Sequence, residues 1–273
     1  MSFVQVILAA IVLALVLAAV MSIAWVLWRR TGNAGWVDTA WTFGLGLAGI
    51  GSALAAMAAG DGSLARQLMI VALIAIWSLR LGSHIAVRTS GIKDDPRYAK
   101  LAESWGEDAP RRMFWLLQMQ AYASLPLALS MFLAAWNPLP ELRFQDLLAA
   151  VVFGIAIGGE ALADAQLKAF KRDPANKGEI CDTGLWSWSR HPNYFFQWLG
   201  WWAYPLFAID GFADYPWGWL ALLGPAFMYW LLVYVSGIPP LEEHMLESRG
   251  RQFRAYQNRV SAFFPLPPKG SAS

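Results

Sequence analysis

Long hydrophobic runs separated by short polar segments dominate the pattern of this chain. A bilayer core of about 30 Å takes roughly 20 apolar residues in a helix, and seven runs approach or exceed that length. They cover residues 3–28, 36–59, 65–88, 113–136, 145–168, 193–209 and 216–236. The pattern therefore predicts an all-α fold, a polytopic integral membrane bundle of about seven transmembrane helices.

The segment after the seventh run has a different character. Residues 237–240 (Gly-Ile-Pro-Pro) interrupt the hydrophobic pattern, and residues 241–259 form a charged, amphipathic segment. Segments of this kind are typical of helices that lie along a membrane surface. We therefore expect a C-terminal interfacial helix.

Basic residues are concentrated in alternate loops. Arg and Lys are abundant after the first, third and fifth runs and in the tail, whereas the other loops contain only Arg66 and Arg143. Because loops rich in Lys and Arg stay on the cytoplasmic side, we predict that the N-terminus is outside and the C-terminus is cytoplasmic.

The composition agrees with a membrane protein. Hydrophobic residues make up 57% of the chain and charged residues only 15%, against about a quarter charged in soluble domains. The single cysteine, Cys181, excludes an intrachain disulfide and a Cys-rich metal site. We expect no metal and no nucleic-acid partner. No internal repeat is present, so residues 1–273 are predicted to form a single domain.

Ionisable residues interrupt three of the predicted helices, where each costs about 2.5–3.5 kcal/mol at mid-membrane. Asp38 lies near the start of the second run, with Trp41 one turn later. Two other helices carry stripes at helical spacing: Trp77, Arg80, His84 and Arg88 in the third run, and Glu160, Asp164 and Lys168 in the fifth. We expect these groups to converge on a cavity open to the cytoplasm. Alternatively they form ties between helices, with Arg80 paired to Asp38 or Asp164.

A polar cluster precedes the sixth run. Arg190, His191, Asn193 and Tyr194 surround Pro192, a residue suited to the first position of a helix. The free N–H groups of a helix start attract anions, so this cluster predicts a site for a phosphate-bearing or otherwise charged ligand. The alternative is a positively charged anchor at the membrane interface.

Two loop or surface segments offer similar side chains. Asp95, Arg97 and Tyr98 follow the third run, and the tail contains Glu243, Arg249 and Tyr256. Acids, bases and aromatic rings suit ribose hydroxyls, phosphates and stacked rings, although either segment alone also fits an ordinary solvated charge run.

The pattern Gly44-Leu-Gly46-Leu-Ala-Gly49 matches a dinucleotide-binding fingerprint in its letters. It lies inside a hydrophobic run with no preceding strand, which is the wrong context for that function. Small residues in such a helix favour close helix packing instead, and this is the prediction adopted.

Several of these motifs together resemble the steroid 5-alpha-reductase superfamily, and most closely its bacterial branch of membrane proteins. The C-terminal resemblance lies in Gly-Leu-Trp-Ser-Trp-Ser-Arg-His-Pro-Asn-Tyr (184–194), Glu242-Glu243 and Arg-Gly-x-x-Phe-x-x-Tyr (249–256). The N-terminal half adds Asp-Thr-Ala-Trp (38–41), Arg-Leu-Gly-Ser-His (80–84) and Asp-Asp-Pro-Arg-Tyr (94–98).

The resemblance implies a seven-helix bundle that binds NADPH and transfers hydride to a carbon–carbon double bond of a lipid-like substrate. Residues 1–136 would form the substrate side, with Asp38 as the catalytic acid and Trp41 and Trp77 in the pocket, and residues 145–273 the cofactor side. Asn193 would hold the nicotinamide amide. The other cofactor-binding residues implied are Arg80, His84, Arg88, Asp95, Arg97, Tyr98, Asp164, Lys168, Arg190, His191, Tyr194, Glu243, Arg249 and Tyr256. The same resemblance suggests a bacterial plasma membrane.

Some positions depart from the steroid reductases. Val37 and Trp77 stand where those enzymes carry Gln and Tyr, so an isoprenoid or acyl compound fits as well as a steroid. Membrane methyltransferases that use S-adenosylmethionine share the Arg-His-Pro-x-Tyr and Glu-Glu motifs and form an alternative. A non-catalytic lipid-binding or transport protein is a second alternative.

Overall fold

The computed structural model describes residues 1–210 and 215–269. Helices account for most of these residues, and the described ranges contain no β-strand, only an isolated bridge between Ser189 and Ser261. The α-helices are α1 (Phe3–Thr31), α2 (Gly35–Ala59), α3 (Leu64–Ser90), α4 (Pro96–Trp105), α5 (Ala109–Ala123), α6 (Leu125–Ala135), α7 (Phe144–Arg172), α8 (Pro192–Trp201), α9 (Ala203–Ala208), α10 (Leu223–Trp230) and α11 (Ile238–Arg259). The predicted all-α fold is confirmed.

Six helical segments in the described part of the chain are long and apolar enough to cross a membrane. They are Phe3–Thr31, Gly35–Ala59, Leu64–Ser90, Pro96–Ala135, Phe144–Arg172 and Pro216–Arg259. The predicted span 193–209 is not among them, because it is divided into α8, with 10 residues, and α9, with 6. Ten residues of helix extend only about 15 Å, half the thickness of the hydrocarbon core.

The chain divides into two compact units. The first contains Met1–Leu147 and Tyr204–Gly224, and the second contains Leu148–Ala203 and Pro225–Ser273. The proposed substrate side, residues 1–136, lies wholly within the first unit. Most of residues 145–273 belong to the second unit, but residues 145–147 and 204–224 belong to the first.

Helix α2 lies at the centre of the first unit because its glycines permit close packing. A Cβ atom added to Gly44 would come within 3.0 Å of a side chain on α1, and one added to Gly46 would come as close to a side chain on α3. A Cβ atom added to Gly49 would come within 3.0 Å of side chains on both α6 and α3. Real Cβ atoms essentially never approach so closely. The glycines therefore serve helix packing, as predicted, and the packing fixes the position of Asp38 at the start of α2.

A buried ion-pair network joins α3 to the loop before α7 in the first unit. The Nε atom of Arg66 lies 3.1 Å from Asp146 Oδ2, and these side chains are 1% and 0% exposed. Arg143 lies 2.7 Å from Asp146 Oδ1 and donates to the carbonyl of Phe207 at 2.7 Å. The two bases that stood out in loops with no other Arg or Lys thus form internal ion pairs of the fold.

Helices α7 and α8 pack together within the second unit. A Cβ atom on Gly159 would overlap the ring of Phe196, and Trp186 donates its indole N–H to the carbonyl of Ala163 at 3.0 Å. These contacts hold the start of α8 beside α7. The carboxylate of Asp164 and the amide of Asn193 are neighbours as a result.

The C-terminal segment completes the second unit. The backbone N–H of Arg190 donates to the carbonyl of Ser261 at 2.8 Å, and that of Leu266 donates to Trp188 at 3.0 Å. Ser189 Oγ donates to the carbonyl of Phe263 at 2.9 Å. Residues 261–266 therefore run beside residues 188–190 and hold them in place.

The predicted surface segment 241–259 lies in α11, which begins three residues earlier at Ile238. Pro239 occupies the first turn, where a missing N–H costs nothing. Gly250 interrupts the helix with a φ of 43°, a left-handed conformation that favours glycine. The helix is confirmed, and its place at the membrane surface stays a prediction.

Candidate functional site

The motif Asp-Asp-Pro-Arg-Tyr begins α4 and also fixes the start of α2. Asp95 is the N-cap of α4 and accepts a hydrogen bond from the backbone N–H of Arg97 at 3.0 Å. Asp94 accepts from the backbone N–H of Ala34, the residue before α2, at 2.7 Å. This arrangement explains why residues 59 positions apart meet at one place.

Asp38 contacts both Arg97 and Tyr98. Arg97 Nη2 lies 2.6 Å from Asp38 Oδ2, and the Tyr98 hydroxyl donates to Asp38 Oδ1 at 3.3 Å. The amide of Gln120 donates to the Tyr98 hydroxyl at 3.1 Å. A continuous hydrogen-bonded chain thus runs through Asp38, Tyr98 and Gln120. We call these three residues and Arg97 the Asp38 cluster.

Arg97 links this cluster to Asp95. Its Nε and Nη2 atoms each lie 3.0 Å from an oxygen of Asp95. Burial of Asp95 acts to raise its pKa, but the hydrogen bonds and charge of Arg97 outweigh this effect and hold the pKa below its ordinary value. The cluster is therefore joined through Arg97 to a carboxylate whose charged form is favoured. It stays open to the surroundings, since the side chains of Arg97 and Asp38 are 47% and 28% exposed.

Trp41 and Trp77, the predicted pocket residues, contact each other. Their ring centroids are 6.5 Å apart in an edge-to-face arrangement, and Trp41 donates its indole N–H to Ser124 Oγ at 2.6 Å. Trp77 is buried, at 4% exposure. The sequence therefore identified two rings that lie together in the first unit.

The stripe on α3 changes from buried to exposed along the helix. Arg80 is half-buried, whereas His84 and Arg88 are exposed. Arg88 Nη2 lies 3.9 Å from Asp95 Oδ2, a long ion pair. In the first unit Arg88 thus lies near Asp95, which also pairs with Arg97, and the predicted binding of a cofactor by these three residues stays a prediction.

A second cluster, which we call the Arg190 cluster, lies at the start of α8 and includes Arg190, His191, Glu242 and Gln257. Arg190 Nε lies 2.7 Å from Glu242 Oε1, and the two side chains are 10% and 12% exposed. Arg190 Nη1 donates to the carbonyls of Gln257 and Val260 at 3.2 and 2.6 Å. All three nitrogens of this guanidinium have partners within the second unit.

His191 is buried inside the same cluster. Its Nε2 atom lies 2.9 Å from Glu242 Oε1, and its ring stacks on Tyr194 with centroids 5.5 Å apart. Burial lowers the pKa of His191 from its ordinary value, and the hydrogen bond to Glu242 only partly opposes this. The histidine is therefore neutral near pH 7 and serves as a hydrogen-bonding group.

Asn193 and Asp164, two residues predicted to bind the cofactor, contact each other within the second unit. The Asn193 amide donates to Asp164 Oδ1 at 3.3 Å, and both residues are half-buried. Lys168, one turn further along α7, is exposed. Asn193 Oδ1 also accepts from the backbone N–H of Tyr194 at 3.0 Å, so the amide retains its second N–H and one further lone pair on the oxygen.

Two predicted tail residues, Arg249 and Tyr256, contact the protein backbone. Tyr256 is buried and donates its hydroxyl to the carbonyl of Trp186 at 2.5 Å. Arg249 donates to the backbone carbonyls of Gly178 and Glu179. These two side chains hold backbone segments together in this structure, and their predicted contact with a cofactor stays a prediction.

Glu242, rather than the predicted Glu243, joins the Arg190 cluster. Met245 and Leu246 on α11 pack against a buried hydrophobic group, and Glu242 lies one turn before them on the same face. Glu243 is rotated by about 100° from Glu242 and is exposed. Gln120 and Gln257 were also missed, because no sequence signal marks an uncharged residue whose partner is distant.

The described residues contain no group of three or more His, Cys, Asp or Glu side chains that could hold a metal ion.

Both clusters lie within the range of one known family. The sequence profile described as "Protein of unknown function (DUF1295)" matches residues 24–260. The chain belongs to the DUF1295 family. It is also similar to an uncharacterized protein of Schizosaccharomyces pombe, with 36% identity over 87 residues. That match covers 30% of this chain and 23% of the yeast protein, so it spans about a quarter of that relative's length. No solved structure matches this DUF1295 member.

Proposed function

We propose that this DUF1295 member is a membrane-embedded, NADPH-dependent reductase of a carbon–carbon double bond in a lipid-like substrate. The resemblance of its motifs to the steroid 5-alpha-reductase superfamily supports this class of reaction. The observation that carries the proposal is the hydrogen-bonded chain from Asp38 through Tyr98 to Gln120. Reduction of an enone consumes a proton as well as a hydride, whereas methyl transfer requires no proton donor.

Within this chain we assign proton donation to Tyr98. Arg97 Nη2 forms a salt bridge with Asp38 Oδ2 at 2.6 Å, and a carboxylate in a salt bridge accepts hydrogen bonds but donates none. Tyr98 donates to Asp38, so its O–H already points at an acceptor. A substrate carbonyl that replaced Asp38 Oδ1 would receive this hydrogen bond as negative charge developed on it. Asp38 would then act as a positioning residue, which modifies the role expected from the sequence.

The side chains present are compatible with NADPH. In the first unit the bases His84 and Arg88 at the end of α3 are exposed, and in the second unit Lys168 on α7 is exposed. The half-buried amide of Asn193 retains hydrogen-bonding capacity for a carboxamide. Arg190 contributes its charge to Glu242 and so would orient the start of α8 rather than contact phosphate directly.

When bound, NADPH would supply the hydride. Tyr98 would stabilise the developing enolate oxygen, Gln120 would orient the Tyr98 hydroxyl, and Trp41 and Trp77 would provide an apolar wall. The substrate class proposed is an activated unsaturated lipid, steroid, isoprenoid or acyl compound.

Ligand-induced stabilisation tests this function. The detergent-purified full chain is titrated with NADPH, NADH and S-adenosylmethionine while its thermal unfolding is followed. A ligand at about 100 times its Kd adds about 2.7 kcal/mol of stability, so NADPH is expected to raise the unfolding temperature clearly. Asn193→Ala should remove this shift, and Asn258→Ala, at an exposed position of α11, should retain it.

A methyltransferase is the second candidate. The Arg190 cluster, which carries the motifs shared with S-adenosylmethionine-dependent membrane methyltransferases, lies in a compact unit of its own. A stability shift with S-adenosylmethionine alone would replace the reductase proposal. No shift with any of the three ligands would instead favour a non-catalytic lipid-binding protein.

A further inference from the structure

A cleft in the first unit lies where α4 ends and α5 begins. Its volume is about 400 Å³, and its lining combines charged and aromatic side chains. They include Trp105, Asp108, Arg111, Arg112, Trp115 and Met119. None of these residues belongs to the Asp38 cluster or the Arg190 cluster.

The charged and the apolar residues that line the cleft occupy different parts of α5. Arg111 and Arg112 lie in its first turn, and Trp115 and Met119 follow at spacings of four residues on one stripe. Trp115 and Met119 are 58% and 62% exposed, in a segment that is apolar enough to cross a membrane. Tryptophan is enriched where a helix crosses from headgroups into hydrocarbon. The cleft therefore has a basic end and an apolar end.

The basic end has charge available for a ligand. Arg112 Nη2 lies 3.8 Å from Asp108, and these side chains are 57% and 66% exposed, a pair of the kind that contributes little. Within residues 1–210 and 215–269, Arg111 has neither a hydrogen bond nor an ion pair. Two guanidinium groups against one carboxylate leave a net positive charge, and guanidinium groups bind phosphate oxygens in a bidentate manner.

We propose that this cleft binds an anionic phospholipid of the bilayer, with the phosphate at Arg111 and Arg112 and an acyl chain along Trp115 and Met119. The net charge favours an anionic headgroup over a zwitterionic one. The exposed apolar wall favours a lipid over a free phosphate ion. This site is independent of the proposed reductase function, because it shares no residue with either cluster.

Native mass spectrometry of the full chain in detergent tests the proposal, with phosphatidylglycerol and phosphatidylcholine titrated separately. Phosphatidylglycerol is expected to bind more tightly. Each basic side chain near an anionic lipid surface contributes roughly a fivefold factor, so Arg111→Gln/Arg112→Gln should weaken its binding by about 30-fold. The matched control Lys171→Gln/Arg172→Gln removes the same charge from exposed positions at the end of α7 and should change binding less than twofold.

Asp108→Asn gives an opposite and independent signal. Loss of the only carboxylate named in the lining should tighten phosphatidylglycerol binding about fivefold. Equal affinity for the two lipids would overturn the proposal, as would equal losses in the two double variants. Displacement of the lipid by millimolar inorganic phosphate would assign the site to a free anion instead. If the Arg111→Gln/Arg112→Gln protein does not fold, the direction of the Asp108→Asn effect decides.

Discussion

The Asp38 cluster and the Arg190 cluster both contain an arginine, a carboxylate and an aromatic ring, but they differ in exposure. The Arg190 and Glu242 side chains are 10% and 12% exposed, whereas Arg97 and Asp38 are 47% and 28% exposed. Arg190 also donates to two backbone carbonyls at the end of α11 and just after it. Arg97 pairs with the side chains of Asp38 and Asp95.

This difference separates a role in folding from a role in binding. A buried charge is retained only when its partners compensate for the lost water, and the Arg190 cluster meets that requirement from the protein itself. The Asp38 cluster leaves oxygen and nitrogen atoms accessible to another molecule. The Arg190 cluster, whose motif most resembles a cofactor site, is thus the less exposed of the two clusters.

Removal of the carboxylate from the Arg190 cluster should have the largest effect on stability. Glu242→Gln leaves Arg190 buried without an anion, and we expect a loss of about 3 kcal/mol in the free energy of unfolding. For a chain of this size the midpoint of thermal unfolding should fall by about 6–12 °C. Glu243→Gln, one residue later and exposed, should stay within about 0.5 kcal/mol. Equal losses of stability in the two variants would contradict the claim that Glu242 compensates the buried charge of Arg190.

A substitution in the Asp38 cluster should lower activity rather than stability. Tyr98→Phe removes the proposed proton donor, so turnover should fall about 100-fold or more while the NADPH-induced stability shift remains. Tyr122→Phe, at an exposed ring on α5 (54%), is the control and should leave both unchanged. The comparison is made by single-turnover oxidation of NADPH with an enone lipid.

The pH dependence of stability should reflect the lowered pKa of His191 in the Arg190 cluster. Burial lowers the pKa of His191 from its ordinary value of 6.5, so between these two pKa values the unfolded chain binds a proton that the folded chain does not. Stability should therefore fall as pH decreases below about 6.5, by a slope of at most one proton. Differential scanning calorimetry of His191→Gln provides the reference, and identical slopes in the two proteins would exclude this origin.

Asp38→Asn should have the smallest effect on stability. The pair with Arg97 is partly exposed, and such pairs contribute at most about 1 kcal/mol. Asparagine retains an oxygen that can accept from Tyr98, so turnover should fall only about tenfold. A larger loss of turnover than in Tyr98→Phe would return the role of the acid to Asp38.

Much of the fold follows from the sequence because composition along a helix is a local property. The runs 3–28, 36–59 and 65–88 correspond closely to α1, α2 and α3. The glycines of α2 were correctly attributed to packing from their context alone. The run 193–209 failed as a single span because composition does not reveal that the helix is interrupted at Trp202.

The sites were harder to predict because their partners are distant along the chain. The sequence placed Asp38 among functional residues but did not pair it with Arg97, which is 59 positions away. Glu242 and Glu243 are identical in type, and only the phase of α11 distinguishes them. Arg66 and Arg143 were visible as isolated bases, yet their connection through Asp146 depends on tertiary packing.

The partners of Arg190 also impose an order on biosynthesis. Glu242 and Val260 follow it by 52 and 70 residues, and at about 5–20 residues per second the ribosome needs about 4–14 s to reach Val260. Until Glu242 has been synthesised, the nascent chain lacks the carboxylate that pairs with this arginine at the entrance of α8. The full set of partners exists only once Val260, just after α11, has been added.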